Sequence, residues 1–225
     1  MESVLQELNA RIEKFDLLCH PYYKAWSAGT LTRDDLSAYA ADYYHHVAAF
    51  PAYLSAFHSR LADGETRRAV LRNLADEEIE GRAHSDLWLD FAEGMGADRD
   101  AVPAGEPITQ VREAVSWFKN VAANGSRAEA LAAFYAYESQ VPRVAAEKSK
   151  GLQERYGADR KTRAYFDLHK YADVEHSRVW GELLEQELTE HPEEREKAMA
   201  SAEQAAKKLW TVLDGMEARR TTAVN

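Results

Sequence analysis

The sequence predicts an all-α protein, organised as a single bundle of seven helices. Hydrophobic residues recur with helical periodicity along almost the whole chain, and no stretch shows the alternation of period two that is typical of a half-buried strand. Proline and glycine are sparse, at 6 and 11 of 225 residues, as in an ordinary globular protein. The mostly short connections between seven periodic segments indicate one domain with one helical core.

Turn and capping signals divide the first half of the chain into three helices. Gly29 ends the first helix, and Thr32 with Asp35 forms a capping box that opens the second. Asp63 and Gly64 interrupt the pattern before the third helix begins. These three helices are predicted at about residues 3–27, 32–61 and 65–93.

Comparable signals divide the second half of the chain. A connection rich in Gly, Asp and Pro over 94–107 precedes the fourth helix, and Ser126 caps the fifth. Pro142 lies inside the fifth helix and removes a backbone hydrogen bond, so we expect a kink there. Gly157 and Pro192 mark the last two turns. The four helices are predicted at about residues 108–123, 126–157, 159–188 and from 191 onward, with a frayed tail from about 216.

Charge and cysteine content exclude several classes of protein. Lys and Arg number 28 and Asp and Glu 38, giving a formal charge of −10, which argues against nucleic acid or an anionic membrane as a partner. Cys19 is the only cysteine, so an intramolecular disulfide and a thiolate zinc cluster are both excluded. No run approaches the roughly 18 apolar residues of a membrane span, and the N-terminus is charged and amphipathic. We therefore expect a cytoplasmic protein.

Three carboxylates and three histidines on three predicted helices form the candidate functional site. On an ideal helix, Glu77 and His84 differ by about 20° around the axis, and so do His169 and His176. Each cluster therefore projects from one helical face. Six nitrogen and oxygen ligands without cysteine favour a pair of iron or manganese ions over structural zinc. The six candidate ligands are Glu77, His84, Glu138, His169, Asp173 and His176.

Nearby acidic residues are alternatives that the sequence leaves open. Glu78, Glu80 and Glu175 lie beside the same clusters, and we interpret them as solvated charges. Glu138 follows the apolar stretch FYAY, where an unpaired carboxylate would be costly, so burial there demands a partner. A metal ion supplies such a partner, although a buried arginine or a tyrosine hydroxyl would also do so.

Five segments of the chain carry a resemblance to a known family. They are HPYYKAW at 20–26, YHHVAAFPAYLSAFHSRLAD at 44–63, NLADEEIEGRAHSDLWLDFAEGMG at 73–96, YAYESQVPRVAAEKSKGL at 135–152 and HKYADVEH at 169–176. These segments resemble the haem-oxygenase-like di-metal oxidases, which have a bundle architecture like that of TenA and PqqC, and most closely the subgroup related to Chlamydia protein associating with death domains (CADD). The resemblance implies an enzyme that activates O2 and converts one of its own tyrosines to para-aminobenzoate for folate biosynthesis.

The resemblance also implies roles for particular residues. The same six ligands would hold two metal ions, Fe/Fe or Mn/Fe, with O2 as co-substrate and an external reductant as partner. Lys148 falls at the position of the amine donor, and Tyr23 and Tyr39 fall at the tyrosine positions. Ten residues of straight helix would place Lys148 about 15 Å along the axis from Glu138, so distortion near Pro142 would have to close the gap. A homodimer is a reasonable expectation.

Other interpretations remain open on the sequence alone. A di-metal oxygenase acting on a free amino acid or another small substrate would use the same six ligands. A non-enzymatic helical adaptor belongs to a different class of protein. A haem oxygenase would need a proximal ligand such as His20, a thiaminase would need Cys19 as nucleophile, and cofactorless ring-oxidising enzymes would not need the three carboxylates.

Overall fold

A computed structural model describes residues 3–222 as a helical bundle. Over these residues it contains ten α-helices, three short 3₁₀ turns and no strand, which confirms the all-α prediction. The α-helices are α1 (Val4–Glu13), α2 (Pro21–Ala28), α3 (Arg33–Arg60), α4 (Glu65–Glu78), α5 (His84–Gly94), α6 (Thr109–Asn124), α7 (Arg127–Glu138), α8 (Val141–Arg155), α9 (Arg160–Glu190) and α10 (Arg195–Thr222).

The helix count exceeds seven because three of the predicted helices are each broken in two. The first breaks before α2, where His20 caps the new helix and Pro21 occupies its first position. The third breaks over 79–83, where Gly81 has a φ of 90°, in the left-handed region that favours glycine. The fifth breaks just before Pro142, which lies in the first turn of α8 rather than kinking one continuous helix.

Several predicted helix ends agree with the structure. The Thr32 side chain accepts from the Asp35 backbone N–H at 3.0 Å, and the Asp35 carboxylate accepts from the Thr32 N–H at 2.8 Å, as in a capping box. Gly29 ends α2 in the left-handed conformation. At the other end of the chain, α10 continues past Met216, which is buried, so the tail expected to fray is helical through Thr222. Residues 223–225 of that tail lie outside the described residues.

The bundle is organised around α7 and α9. Helix α7 packs against α9 and α10, and α9 also packs against α5 and α8. Every residue of α7 from Ala130 to Glu138 is buried, and its many alanines allow neighbouring helices to approach closely. Glu138, the last residue of α7, therefore lies in the interior of the bundle. None of the described helices combines the length and the apolar character that crossing a membrane requires.

Candidate metal centre

The six candidate ligands converge into two groups of three in the core. The first triad consists of Glu77, His84 and His169, and the second of Glu138, Asp173 and His176. Within each triad, one ligand atom from each residue lies within 4.8 Å of the other two. All six side chains are buried, so residues from α4, α5, α7 and α9 meet away from solvent.

Helix α9 contributes to both triads. His169, Asp173 and His176 share one buried face, as the spacing predicts, but His169 joins the first triad and the other two join the second. Glu78, Glu80 and Glu175, which we interpreted as solvated charges, are exposed and belong to neither triad.

Glu77 and His84 meet by a different route from the one the sequence predicts. They do not lie on one continuous helix, because α4 ends at Glu78 and α5 begins at His84. The intervening linker, residues 79–83, redirects the chain at Gly81. His84 Nδ1 nevertheless lies 3.0 Å from Glu77 Oε1. The prediction that this pair comes together holds, but the prediction that one helical face presents it is wrong.

The charge balance of the two triads fits bound cations. In the described part of the chain, the three carboxylates pair with histidines of the triads and with no lysine or arginine. Burial raises the pKa of Glu77 and raises that of Asp173 well above its ordinary value, because the neighbouring histidines offset only part of the lost hydration. Buried carboxylates are costly without enough positive charge beside them. Two divalent ions that accept nitrogen and oxygen donors would supply it.

Hydrogen bonds fix which histidine nitrogen faces each triad. His169 Nδ1 lies 2.8 Å from the Tyr165 carbonyl oxygen, which leaves Nε2 as the free donor atom. His176 Nε2 lies 2.9 Å from Asp76 Oδ2, which leaves Nδ1 facing Asp173 and Glu138 at 3.3 and 3.6 Å. Carbonyl and carboxylate partners of this kind set the tautomer and orientation of metal-ligating histidines.

The pKa values of two of these imidazoles are shifted in opposite directions. Burial lowers the pKa of His169 to about 3, so this ring is neutral and keeps a lone pair available for a cation. Burial also disfavours the charged form of His176, but hydrogen bonds with Asp173 and Glu138 outweigh it and raise the pKa of His176 to about 12 in the metal-free protein. A metal ion at the second triad would therefore replace a proton.

Glu138 is held by two side chains that the sequence did not single out. Asn73 donates to its Oε1 at 3.1 Å, and the indole N–H of Trp180 donates to its Oε2. The sequence spacing could have indicated both residues, because Asn73 lies four residues before Glu77 and Trp180 lies four residues after His176. Residues four apart share a helical face. Asp76, beside Glu77, carried no such signal.

Lys148 lies in a separate polar cluster with the two candidate tyrosines. Its Nζ donates to the Tyr23 hydroxyl at 2.7 Å and also to the Tyr39 hydroxyl, and the two hydroxyls lie 3.0 Å apart. Lys148 is 5% exposed, and aromatic rings rather than carboxylates surround its amine. Burial lowers the pKa of Lys148 well below its ordinary value and raises those of both tyrosines. The arrangement therefore favours a neutral amine beside neutral phenols.

The break after Glu138 explains how Lys148 reaches this position. Ser139 and Gln140 separate α7 from α8, so Glu138 and Lys148 lie on different helices and the 15 Å separation expected for one straight helix does not apply. Helix α8 instead packs against α2, which carries Tyr23, and the indole N–H of Trp26 donates to the Lys148 carbonyl at 3.3 Å.

A small cavity lies between Lys148 and the first triad. Its volume is about 30 Å³, enough for a molecule of water size, and aromatic rings form most of its wall. We call it the Lys148 cavity. None of the six candidate ligands lines it. Tyr165 connects the two places, because it lines the cavity and its ring stacks on that of His169 with centroids 4.0 Å apart.

A second cavity, of about 200 Å³, opens on the other side of the centre. His176, Asp76 and Trp180 form its inner wall, and Arg72 and Glu175 lie nearer the solvent. This cavity is large enough for a small organic molecule, unlike the Lys148 cavity.

An all-α bundle with two buried triads of nitrogen and oxygen donors places the chain in the class of candidate di-metal proteins. Comparison of the sequence with family models gives a match over residues 37–210 to a family described as iron-containing redox enzymes. The chain belongs to this haem-oxygenase-like family and is an oxidoreductase, and the two triads together with the family support a di-metal site. The expectation of an enzyme is thereby confirmed over the adaptor interpretation.

Relatives resemble the chain over most of its length. A 4-aminobenzoate synthase of Chlamydia trachomatis is 39% identical over 213 residues, which cover 94% of this chain and 91% of the relative. A 4-aminobenzoate synthase of Nitrosomonas europaea is 35% identical over 221 residues, covering 94% and 89%. A TenA homologue of Pseudomonas syringae has a solved structure that matches with a TM-score of 0.83 over 96% of this chain and 93% of its own. At 15% sequence identity, that match supports the fold alone.

Proposed function

We propose that this chain is an O2-dependent di-metal oxidase that makes 4-aminobenzoate from its own Tyr23, with Lys148 supplying the nitrogen. The observation that carries the proposal is the 2.7 Å contact between Lys148 Nζ and the Tyr23 hydroxyl, both buried, beside a small cavity lined largely by aromatic side chains. Two relatives named 4-aminobenzoate synthase, at 35% and 39% identity, support the product.

The chemistry of the product accounts for the position of the lysine. 4-Aminobenzoate keeps the six-membered ring of tyrosine, with an amine where the phenol oxygen was and a carboxylate where Cβ was. The nitrogen must therefore reach the ring carbon that carries the hydroxyl. Lys148 Nζ lies next to that hydroxyl in Tyr23, and a neutral amine has the lone pair that forming a carbon–nitrogen bond requires. Tyr39 shares the contact and is the other candidate for the consumed ring.

The metal ions would be held by the six residues of the two triads, as an Fe/Fe or a Mn/Fe pair. When bound, such a pair binds and reduces O2, with electrons from an external reductant. The chain itself orients the ligands through Asp76, Asn73 and Trp180, and it shields Lys148 from bulk water with a shell that is largely aromatic. Excluding water protects reactive species from side reactions.

Transfer of nitrogen from Lys148 has a consequence for turnover. The lysine and the tyrosine would both be altered, so each chain would form at most one product molecule. Intact-mass measurement tests this consequence after the metal-loaded protein is reduced and exposed to O2. We expect a loss of mass that peptide mapping places at Tyr23 and at Lys148. Many turnovers on an added substrate, with unchanged protein mass, would refute the self-consuming reaction.

Complementation in cells gives an independent test. The gene should rescue a strain that cannot make para-aminobenzoate, and Lys148→Ala should abolish the rescue. Lys150→Ala is the matched control, because Lys150 is on the same helix but exposed. Equal rescue by both variants would mean that Lys148 is not the amine donor.

The cavity beside His176 favours a second candidate function. Its volume of about 200 Å³ would admit a free amino acid or a similar small substrate next to the second triad. In that case the same metal centre would act as an oxygenase on an added compound. The mass measurement separates the two functions, because only the self-consuming reaction changes the protein.

A further inference from the structure

Two ligands of the first triad are joined by an exposed linker. Glu77 ends the buried part of α4, His84 begins α5, and residues 79–82 between them are exposed to solvent. Ile79 is 76% exposed, so the linker has little hydrophobic anchorage of its own. The separation of Glu77 from His84 therefore depends on whatever fixes the linker to the bundle.

Arg82 makes the side-chain contact that ties the linker to the core. Its Nη1 donates to Asp90 Oδ2 at 2.6 Å. Asp90 is 2% exposed and also accepts from Arg99 Nη1 at 2.7 Å, with Lys161 Nζ 3.6 Å away. Burial alone would raise the pKa of Asp90, but the hydrogen bonds from Arg82 and Arg99 bring it below its ordinary value. The carboxylate is therefore ionised and strongly bound.

The location of Asp90 extends this contact to the helices that carry the ligands. Asp90 lies on α5, six residues after His84, and Lys161 lies in the first turn of α9, the helix that carries His169. Arg99 comes from the connection that follows α5. One buried carboxylate thus joins the linker to the two helices that present the histidines of the first triad.

The opposite end of α4 is fixed by other residues. Arg67 donates to the Leu61 carbonyl at 2.8 Å, and the Thr66 hydroxyl accepts from Arg127 at 2.8 Å. The C-terminal half of α4 is also attached, because Asn73 donates to Glu138 and Asp76 faces His176. Loss of the contact between Arg82 and Asp90 would therefore loosen the linker between Glu77 and His84 and leave α4 itself in place.

We propose that Arg82 and Asp90 are positioning residues that hold Glu77 and His84 at the separation needed to bind one metal ion. This inference rests on the proposed metal centre. The second triad receives its ligands from α7 and α9, on which the linker does not lie. Substitution of Arg82 or Asp90 should therefore weaken the binding of mainly one of the two ions.

Mn²⁺ binding to the metal-free protein tests the proposal without any catalytic assay. Titration followed by electron paramagnetic resonance should resolve two sites in the wild type. In Arg82→Ala, the dissociation constant of one site should rise about tenfold or more, as for other residues that orient metal ligands. Arg82→Lys should restore part of the affinity, and Asp90→Asn should reproduce the loss. Arg68→Ala is the matched control, since Arg68 pairs with Asp63 at the far end of α4.

Three results would overturn the proposal. The first is unchanged affinity at both sites in Arg82→Ala. The second is equal weakening of both sites together with a fall in the melting temperature of the metal-free protein, which would indicate a merely structural role. The third is unchanged hydrogen exchange over residues 79–87 in metal-free Arg82→Ala, where we expect faster exchange than in Arg68→Ala. Failure of the wild type to bind two ions would instead refute the proposed function, so the two failures are distinguishable.

Discussion

The amine of Lys148 lies 2.7 Å from the hydroxyl of Tyr23, although 125 positions separate the two residues in the sequence. The contact depends on the packing of α8 against α2, which the Trp26 indole reinforces by donating to the Lys148 carbonyl. A buried lysine without a carboxylate partner is unfavourable for stability. The burial of Lys148 therefore costs stability, and the proposed role as amine donor accounts for it.

The buried amine predicts a characteristic pH dependence of stability. Because burial lowers the pKa of Lys148 in the folded protein, the unfolded chain binds the proton more tightly. Between that lowered value and the ordinary value of about 10.4, the free energy of unfolding should rise with pH, by up to about 1.4 kcal/mol per unit. Below this pH range Lys148 holds its proton in both the folded and the unfolded protein, so it no longer makes the free energy of unfolding depend on pH.

Urea unfolding of the metal-free protein between pH 7 and 10 measures this slope. Lys148→Met should be more stable than the wild type at pH 7. Its free energy of unfolding should lack the rise with pH that Lys148 causes, whereas Lys150→Met should keep that rise. Parallel profiles for the wild type and Lys148→Met would mean that the folded protein carries a charged Lys148.

The metal content of histidine variants should show the occupancy of each triad separately. Protein grown with iron or manganese should contain about two ions per chain, because each triad provides three donors. His84→Ala and His176→Ala should each lower the content towards one ion, and the double variant should lose most of both. His191→Ala, at an exposed position, is the control. Full metal content in the double variant would contradict the assignment of these ligands.

Asp76 should matter for metal affinity without being a member of either triad. Asp76→Asn replaces the carboxylate that faces His176 Nε2, so the imidazole loses its orienting partner. We expect about 10- to 100-fold weaker binding at the second triad, measured by metal titration. Glu78→Gln removes an exposed carboxylate from the same helix and should leave the affinity unchanged. Equal effects of the two substitutions would indicate a general effect of charge.

Gly151 lies where α8 packs closely on Trp26 of α2. A Cβ atom there would lie 2.9 Å from Trp26 Cδ1 and 3.0 Å from its Nε1, and the first of these distances is shorter than real Cβ contacts. Gly151→Ala should therefore lower the free energy of unfolding by about 1–3 kcal/mol and reduce 4-aminobenzoate formation. Gly105→Ala, whose Cβ would have its nearest neighbour at 3.4 Å, an ordinary contact, should be nearly neutral in the same denaturation experiment.

Local signals in the sequence predicted much of the fold. The Thr32 capping box, the Gly29 helix end and the shared face of His169 and His176 all depend on neighbours within one or two turns, so their chemistry is visible in the chain. His169, Asp173 and His176 were identifiable as candidate ligands because they recur at helical spacing on α9. Glu138 was identifiable by its apolar surroundings, whereas the helical spacing of Glu77 and His84 selected a pair that in fact lies on two helices.

Features that depend on tertiary contacts were not predictable in the same way. Helical periodicity in the sequence continues through residues 79–83, where the structure has a break. At this break Arg82 donates to Asp90, and no local pattern indicates that pairing. The approach of Lys148 to Tyr23 likewise depends on how α8 leaves the end of α7. Asp76 became recognisable only when His176 was seen to face it.

The tight enclosure of Lys148 has a consequence for how a finished molecule would leave. The ring and the amine that would form the product are both buried, with Tyr23 3% and Lys148 5% exposed, and the empty space beside them is only about 30 Å³. A product made there would stay caged until neighbouring helices part. Release of the product, rather than its formation, would then set the rate at which free product appears. Mild denaturation of the protein after reaction should release product that the native protein still holds.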